Sequence, residues 1–154
     1  MNFEVETGKM SPEMVKNLLS QPILARIATA SPKTLRPHVV PVWFGWDGES
    51  LWISSFRSTR KIKNLQANPF CSIAIDTAES GWDFQTVIFE GSAELVTEPA
   101  EFVREMTTWV YTRYLGPEGV LAPDPQSWIH DPENLLVKLT PEWTYTSYSA
   151  RKMP

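Results

Sequence analysis

The stretch of this 154-residue chain with the clearest chemical content is Ser54–Asn64, SSFRSTRKIKN. Arg57, Arg60, Lys61 and Lys63 place four of the fourteen basic residues within seven positions, and no acid occurs from Ser50 to Ile75. Hydroxyls at Ser54, Ser55, Ser58 and Thr59 surround them. The order reads as a strand end feeding a helix N-terminus, where free backbone N–H groups and the helix dipole favour an anion. Arginine can fork onto phosphate oxygens, and lysine adds a point charge. The cluster is too local to track a nucleic acid, so it predicts one compact phosphate. The competing reading is a solvated helix face.

A second stretch, Arg36–Trp43 (RPHVVPVW), reads as a strand with an interior proline. Pro41 has no N–H for a sheet ladder, which marks an edge, a bulge or a place where a ligand sits. Free main-chain groups along Val39–Val42 could meet a flat heterocycle edge-on. His38 stays open to three readings: a ligand, an acid/base group, or a hydrogen-bonded barrel histidine. His130 lies in a proline-rich segment and reads as surface. No Gly-rich phosphate loop, nucleophile elbow or metal-ligand spacing occurs, and the carboxylates are scattered. The sequence therefore points to no catalytic residue and to no metal site.

Composition narrows the classes. Fourteen basic against eighteen acidic residues give a net charge of −4, which argues against a surface built to hold nucleic acid. The single cysteine, Cys71, excludes an internal disulfide or a multi-cysteine metal site and makes the cytosol the default compartment. Its alternation with Ile73 and Ile75 reads as an inert buried thiol. The opening MNFEVETGKMSPEM lacks the apolar run of a secretory signal, and no segment approaches the ~20 apolar residues of a membrane span. A hydrophobic fraction of 42% supports one domain over residues 1–154. Among seven tryptophans, Trp109 sits on a helical stripe and reads as core, Trp82 and Trp128 lie in loops and read as a pocket wall or a subunit contact, and Trp43, with those two, is a candidate to lie near a planar cofactor.

The elements that must position these residues follow from periodicity and punctuation. Ser11 and Pro12 open a short helix that Gln21-Pro22 ends. Ile23–Ala30, Pro37–Trp46 and Ser50–Ser55 read as antiparallel strands, the last two joined at Asp47-Gly48. Thr59–Ala67 is helical, with Ser58 or Thr59 as cap and Asn68-Pro69 as stop. Phe70–Asp76 and Phe84–Val96 are strands, the second bending at Gly91. Pro99–Leu115 is the longest helix, with Thr97 as its cap; Gly116–Pro132 reads as a surface loop. Asn134–Thr140 and Trp143–Ser149 are the last strands. About seven strands and three helices predict a mainly β fold, an antiparallel barrel with flanking helices.

These segments carry a resemblance. ILARIATASPKTLRPHVVPVWF, the hairpin WDGESLWISS, then RSTRKIKNLQANPFCSIAID and VIFEGSAELV resemble the flavin-binding split β-barrel family typified by pyridoxamine 5′-phosphate oxidase. The resemblance implies a homodimer with FMN at the subunit interface. It implies that Arg60 and Lys61, with Ser54, Ser55 and Thr59, hold the flavin phosphate. It also implies that His38, Val39, Val40, Pro41, Val42 and Trp43 border the isoalloxazine, and that Thr86, with Gln85 beside it, lends a polar contact. The C-terminal KLTPEWTYTSYSARKMP has no histidine and only Arg151 as arginine, unlike the vitamin-oxidising members. The likeness is to the short general members, some of which use a deazaflavin coenzyme whose longer anionic tail Arg57 and Lys63 could serve. The expected activity is transfer of a hydride or electrons between the flavin and a small planar substrate. The alternatives are a deazaflavin-dependent reductase of the same fold and a non-catalytic flavin or haem carrier.

Overall fold

The computed structural model describes residues 4–152. Along them run β1 (Val5–Gly8), α1 (Pro12–Ser20), β2 (Ala25–Ala30), β3 (Pro37–Val42), β4 (Gly45–Trp46), β5 (Leu51–Phe56) and α2 (Arg60–Ala67). These are followed by β6 (Phe70–Ala78), β7 (Phe84–Val96), α3 (Ala100–Gly119), α4 (Pro123–Ile129), β8 (Asn134–Leu139) and β9 (Trp143–Arg151). Every strand pairing is antiparallel, in the order β3-β2-β6-β7-β8-β5-β4, with β9 also on β7 and β1 on β9. The sheet curls into a half-barrel flanked by helices, the mainly β split-barrel architecture that the sequence predicts.

The curl turns on β7. Its Phe84–Glu90 segment lies between β6 and β9, whereas Ala93–Val96 pairs with β8. Gly91 sits at the switch, where a Cβ would come within 3.2 Å of the Glu142 nitrogen and 3.3 Å of Leu139 Cδ1. Close approach of another backbone is what requires glycine there. Inside the curl, Ile27, Phe44, Leu51, Ile53, Ile73, Ile75, Val87, Leu135, Val137 and Leu139 are fully buried. Each such side chain stabilises the fold by about 1.5–3 kcal/mol through removal from water. Trp46 closes this core by stacking on Phe89 with ring centroids 4.9 Å apart.

A second core lies under α3, where Val103, Val110 and Tyr111 meet Trp52, Ile129 and Leu136. Trp109 packs here, half-buried, against Gly45, where any side chain would overlap its ring. Helical geometry in α3 breaks at Gly116, which takes φ 77°, so the regular helix ends where Gly116-Pro117 predicts.

Four expectations need correction. The segment expected as loop up to Pro132 contains α4, whose Pro123 suits a first helical turn and whose Pro125 and Ile129 are buried; the helix is too short to show a period. Thr97 does not cap α3: the cap position is Pro99, with no side-chain bond, so Thr97 lies two residues outside. Thr59 does occupy the cap position of α2, but its hydroxyl donates to the Phe56 carbonyl at 2.9 Å and not into the helix. Finally, β1 and the Ala150–Arg151 end of β9 are absent from the sequence reading, because a polar VETG strand carries no alternation and its partner lies at the other end of the chain. By contrast, Ser11 does cap α1, accepting the Met14 N–H at 3.2 Å.

Candidate functional site

The N-terminus of α2 faces the β2–β3 turn. Between them lies a cleft of about 450 Å³ lined by Ser31, Thr34, Arg36, His38, Ser58, Arg60, Lys63 and Asn64. Two local motifs shape the turn side: Ser31 Oγ accepts the Lys33 N–H and Thr34 Oγ1 accepts the Arg36 N–H, each at 3.3 Å. Leu35, between them, holds φ 55°, a left-handed conformation uncommon for a bulky residue, and is 78% exposed. On the helix side, Asn64 Nδ2 donates to Thr29 Oγ1 at 3.0 Å and Asn68 Nδ2 to the Ala30 carbonyl at 3.3 Å. These two amides fasten α2 to the end of β2, which holds the basic residues against the turn.

The electrostatics of the cleft are one-sided. Among the described residues the ion pairs are Arg26–Asp76, Arg151–Asp83 and Lys152–Glu4, so Arg36, Arg60, Lys61 and Lys63 have no carboxylate partner. Lys61 follows Arg60 on α2 but lies outside the cleft lining; it is half-buried, and that burial pushes its pKa down from the ordinary lysine value. A desolvated ammonium without a counter-ion gains from a bound anion. Because the Thr59 hydroxyl turns away, the first N–H groups of α2 also lack a side-chain acceptor.

The structure brings some predicted residues together and separates others. His38 and Arg60 line one cleft, and His38 lies opposite Thr29 in the β2–β3 ladder. Ser55 Oγ and Thr59 Oγ1 are 3.2 Å apart at the strand-to-helix junction. Ser54 belongs to the other face of β5, where it donates to Asn134 Oδ1 at 2.8 Å and accepts from Thr107 at 3.3 Å. Along β3, Val40 and Val42 pack against the core, while Val39 and Pro41 are exposed on the outer face of an edge strand. Pro41 thus occupies one of the positions its missing N–H allows. Trp43 stacks on Tyr114 at 4.9 Å and meets Tyr111 edge-on at 5.4 Å, placing it in the second core. Trp128 also contacts Tyr111, at 6.1 Å.

Thr86 stands apart within one chain. It pairs with Asp76, whereas Ser72, four residues earlier on β6, pairs with Ala28 beside the His38–Thr29 step. Four residues of strand span about 13 Å. Thr86 nevertheless shares the sheet's outer face, where Val39, Ala28, Ser72, Glu90 and Trp143 align across five strands. A second concavity, of about 500 Å³, opens on that face between Ala28, Phe70, Ser72, Glu90 and Trp143. Phe70, Trp143 and Tyr145 are 62%, 75% and 58% exposed.

Sequence reasoning did not join Ser31, Thr34 and Arg36 to the basic cluster, although Arg36 flanks the proline strand; only the β2–β3 hairpin brings that turn onto α2. It also passed over Trp143, whose signal was the outward Trp143/Tyr145 alternation on β9.

Residues 11–148 match the sequence profile described as pyridoxamine 5′-phosphate oxidase. The chain belongs to this family. No curated protein matches it at a significant level. Among solved structures, a conserved hypothetical protein from Mycobacterium tuberculosis is similar at TM-score 0.74 and 24% identity, covering 89% of this chain and 84% of that one. An F420 reductase is similar at TM-score 0.66 and 24% identity, covering 84% and 94%. A FAD and heme binding protein from Mycobacterium smegmatis is similar at TM-score 0.71 and 16% identity, covering 96% and 75%. These likenesses establish the pyridoxamine 5′-phosphate oxidase fold. No helix among the described residues is long and apolar enough to cross a membrane.

Proposed function

We propose that this member of the pyridoxamine 5′-phosphate oxidase family is a cytosolic FMN-binding oxidoreductase acting on a small planar substrate. The observation that carries the reading is the cleft of unpaired cations at the uncapped start of α2. Arg60 holds the flavin phosphate with Ser58 supplying a hydroxyl from the cleft lining, Lys61 adds charge from the next helical position, and Ser55 and Thr59 brace the strand-to-helix junction behind them. Arg36 closes the cleft from the turn side, and Asn64 keeps helix and sheet in register. His38 and the β3 edge from Val39 to Val42 border the ring. The residues present fit the group: a dianionic phosphate meets several cations, free helix N–H groups and short hydroxyl side chains. When bound, FMN supplies the redox chemistry, and the chain supplies capture, orientation and electrostatic control.

The outer sheet face pairs with a second copy, which brings the partner's outer face to the flavin and covers the exposed aromatics. Thr86 and Trp143 lie on that face, which reconciles Thr86 with a cofactor role despite its distance from the cleft within one chain.

A second reading is favoured by the number of cations. Arg36, Arg60, Lys61 and Lys63 exceed what one phosphate needs, and a deazaflavin coenzyme with a longer anionic tail would use them all. The likeness to an F420 reductase supports the same reading. A flavin or haem carrier without turnover is the remaining alternative.

Titration of purified protein with FMN, deazaflavin coenzyme and haem separates these readings. Arg60→Ala with Lys61→Ala should weaken FMN binding at least tenfold, about 1.4 kcal/mol. Arg36→Ala with Lys63→Ala should weaken the deazaflavin coenzyme more than FMN if the second reading holds. Binding of neither ring system at micromolar concentration defeats both, and a haem Soret band that depends on His38 favours the carrier.

A further inference from the structure

A separate crevice of about 600 Å³ opens between α1, the β4–β5 hairpin and the end of the regular part of α3. It shares no residue with the basic cleft. Its apolar side is built by Met10, Val15, Leu19 and Trp46, which all belong to the main core or pack on it. Its size lies in the range of small-molecule sites, roughly 300–1,000 Å³.

Two cations line the same crevice. Lys16 is exposed on α1, and Arg113 reaches from α3 to donate through Nη2 to the Leu19 carbonyl at 3.0 Å and the Gln21 carbonyl at 3.2 Å. Arg113 also lies over the Phe44 ring, 5.2 Å from its centroid, and its shielded Nε has no acceptor. Neither cation has a carboxylate partner among the described residues. Asp47, also in the lining, forms no ion pair with either cation. Its oxygens accept the Glu49 and Ser50 N–H groups and Trp52 Nε1, so the carboxylate is folded back into its own turn.

We propose that this crevice binds an amphipathic monoanion, a fatty or aryl carboxylate, with its apolar body on Met10, Val15, Leu19 and Trp46 and its charge between Lys16 and Arg113. The argument is complementarity of both kinds: an apolar slot large enough for a chain or ring, bordered by two cations that form no ion pair among the described residues and outnumber the one carboxylate in the lining. Occupation would tie α1 to α3 and the hairpin, a different part of the molecule from the flavin cleft, and the inference does not depend on the flavin reading.

The test is calorimetric titration with decanoate, decanol and decylammonium below their aggregation concentrations. Decanoate should bind most tightly, and Lys16→Glu, at an exposed helix position, should weaken it at least tenfold while leaving decanol unchanged. In protein labelled at methionine methyl groups, decanoate should shift the Met10 resonance, and excess FMN should leave the isotherm unaltered. The proposal is overturned if decanoate fails to bind at millimolar concentration or if Lys16→Glu leaves its affinity intact. It is equally overturned if FMN competes with the probe or if Met10 does not respond.

Discussion

Asn64 on α2 donates from Nδ2 to Thr29 Oγ1 on β2 across 3.0 Å, and both residues are buried. Thr29 stands opposite His38, and Asn64 is three residues after Lys61 and one after Lys63. One hydrogen bond between short side chains therefore links the histidine strand to the basic helix. Asn64→Ala strands the Thr29 hydroxyl and should cost about 1–3 kcal/mol of stability in urea unfolding. FMN affinity should fall with it; wild-type affinity in the folded variant would mean that this bond does not organise the cleft.

Gly45 faces the Trp109 ring so closely that any Cβ overlaps it. The ring is wedged beneath α3, and β4 is held by its pairing with Trp52. Gly45→Ala should destabilise by about 1–3 kcal/mol, the usual cost of overpacking. Adding Trp109→Leu should recover part of that loss, and a double-mutant cycle of melting curves measures the coupling.

Ile88 pairs with Ala74 on one side and Tyr145 on the other, in the middle of the outer face. Ile88→Arg places a charge in the middle of the face proposed to pair with a second copy. Light scattering should show a monomer, and FMN binding should weaken in parallel. A dimer of unchanged mass would move the subunit interface elsewhere.

Cys71 is buried, and its burial pushes the thiol from an ordinary 9.0 up to about 11. Between those values the unfolded chain has released the proton and the folded chain keeps it, so stability is complete below pH 9.0 and is lost as pH rises towards 11. The contribution is of order 2–3 kcal/mol. Half-buried Lys61 acts oppositely: its lowered pKa makes stability rise with pH just below the ordinary lysine value. Cys71→Ala should therefore flatten the alkaline fall, and Lys61→Met should steepen it, in unfolding curves taken from pH 8 upward. Slow alkylation of native protein at neutral pH should accompany this, since little thiolate is present.

The local chemistry was legible in the residues themselves. A strand ending in hydroxyls and running into Arg60-Lys61, a proline at position 41, an Asp47-Gly48 turn and an alternating Cys71 each state a backbone or charge preference that needs no distant partner. The turn forms as read: Gly48 takes φ 101° and Asp47 accepts the Glu49 and Ser50 N–H groups. What the residues could not state is which face of a strand meets which neighbour. Ser54 and Ser55 are adjacent hydroxyls of equal appearance, yet one serves Asn134 and Thr107 while the other points to Thr59. Trp43 was as fit for a cofactor as for a core until Tyr111 and Tyr114 arrived from α3. Arg36 joined the basic cleft only through the β2–β3 register, and β1 existed only because β9 came to meet it. Periodicity and punctuation follow from the backbone within a few residues, so the net charge of −4 and the acid-free window around four cations were fixed in the chain from the start. The site itself waited on burial across the whole sheet, because long-range packing of apolar faces sets the register, and register decides which side chains share a cleft.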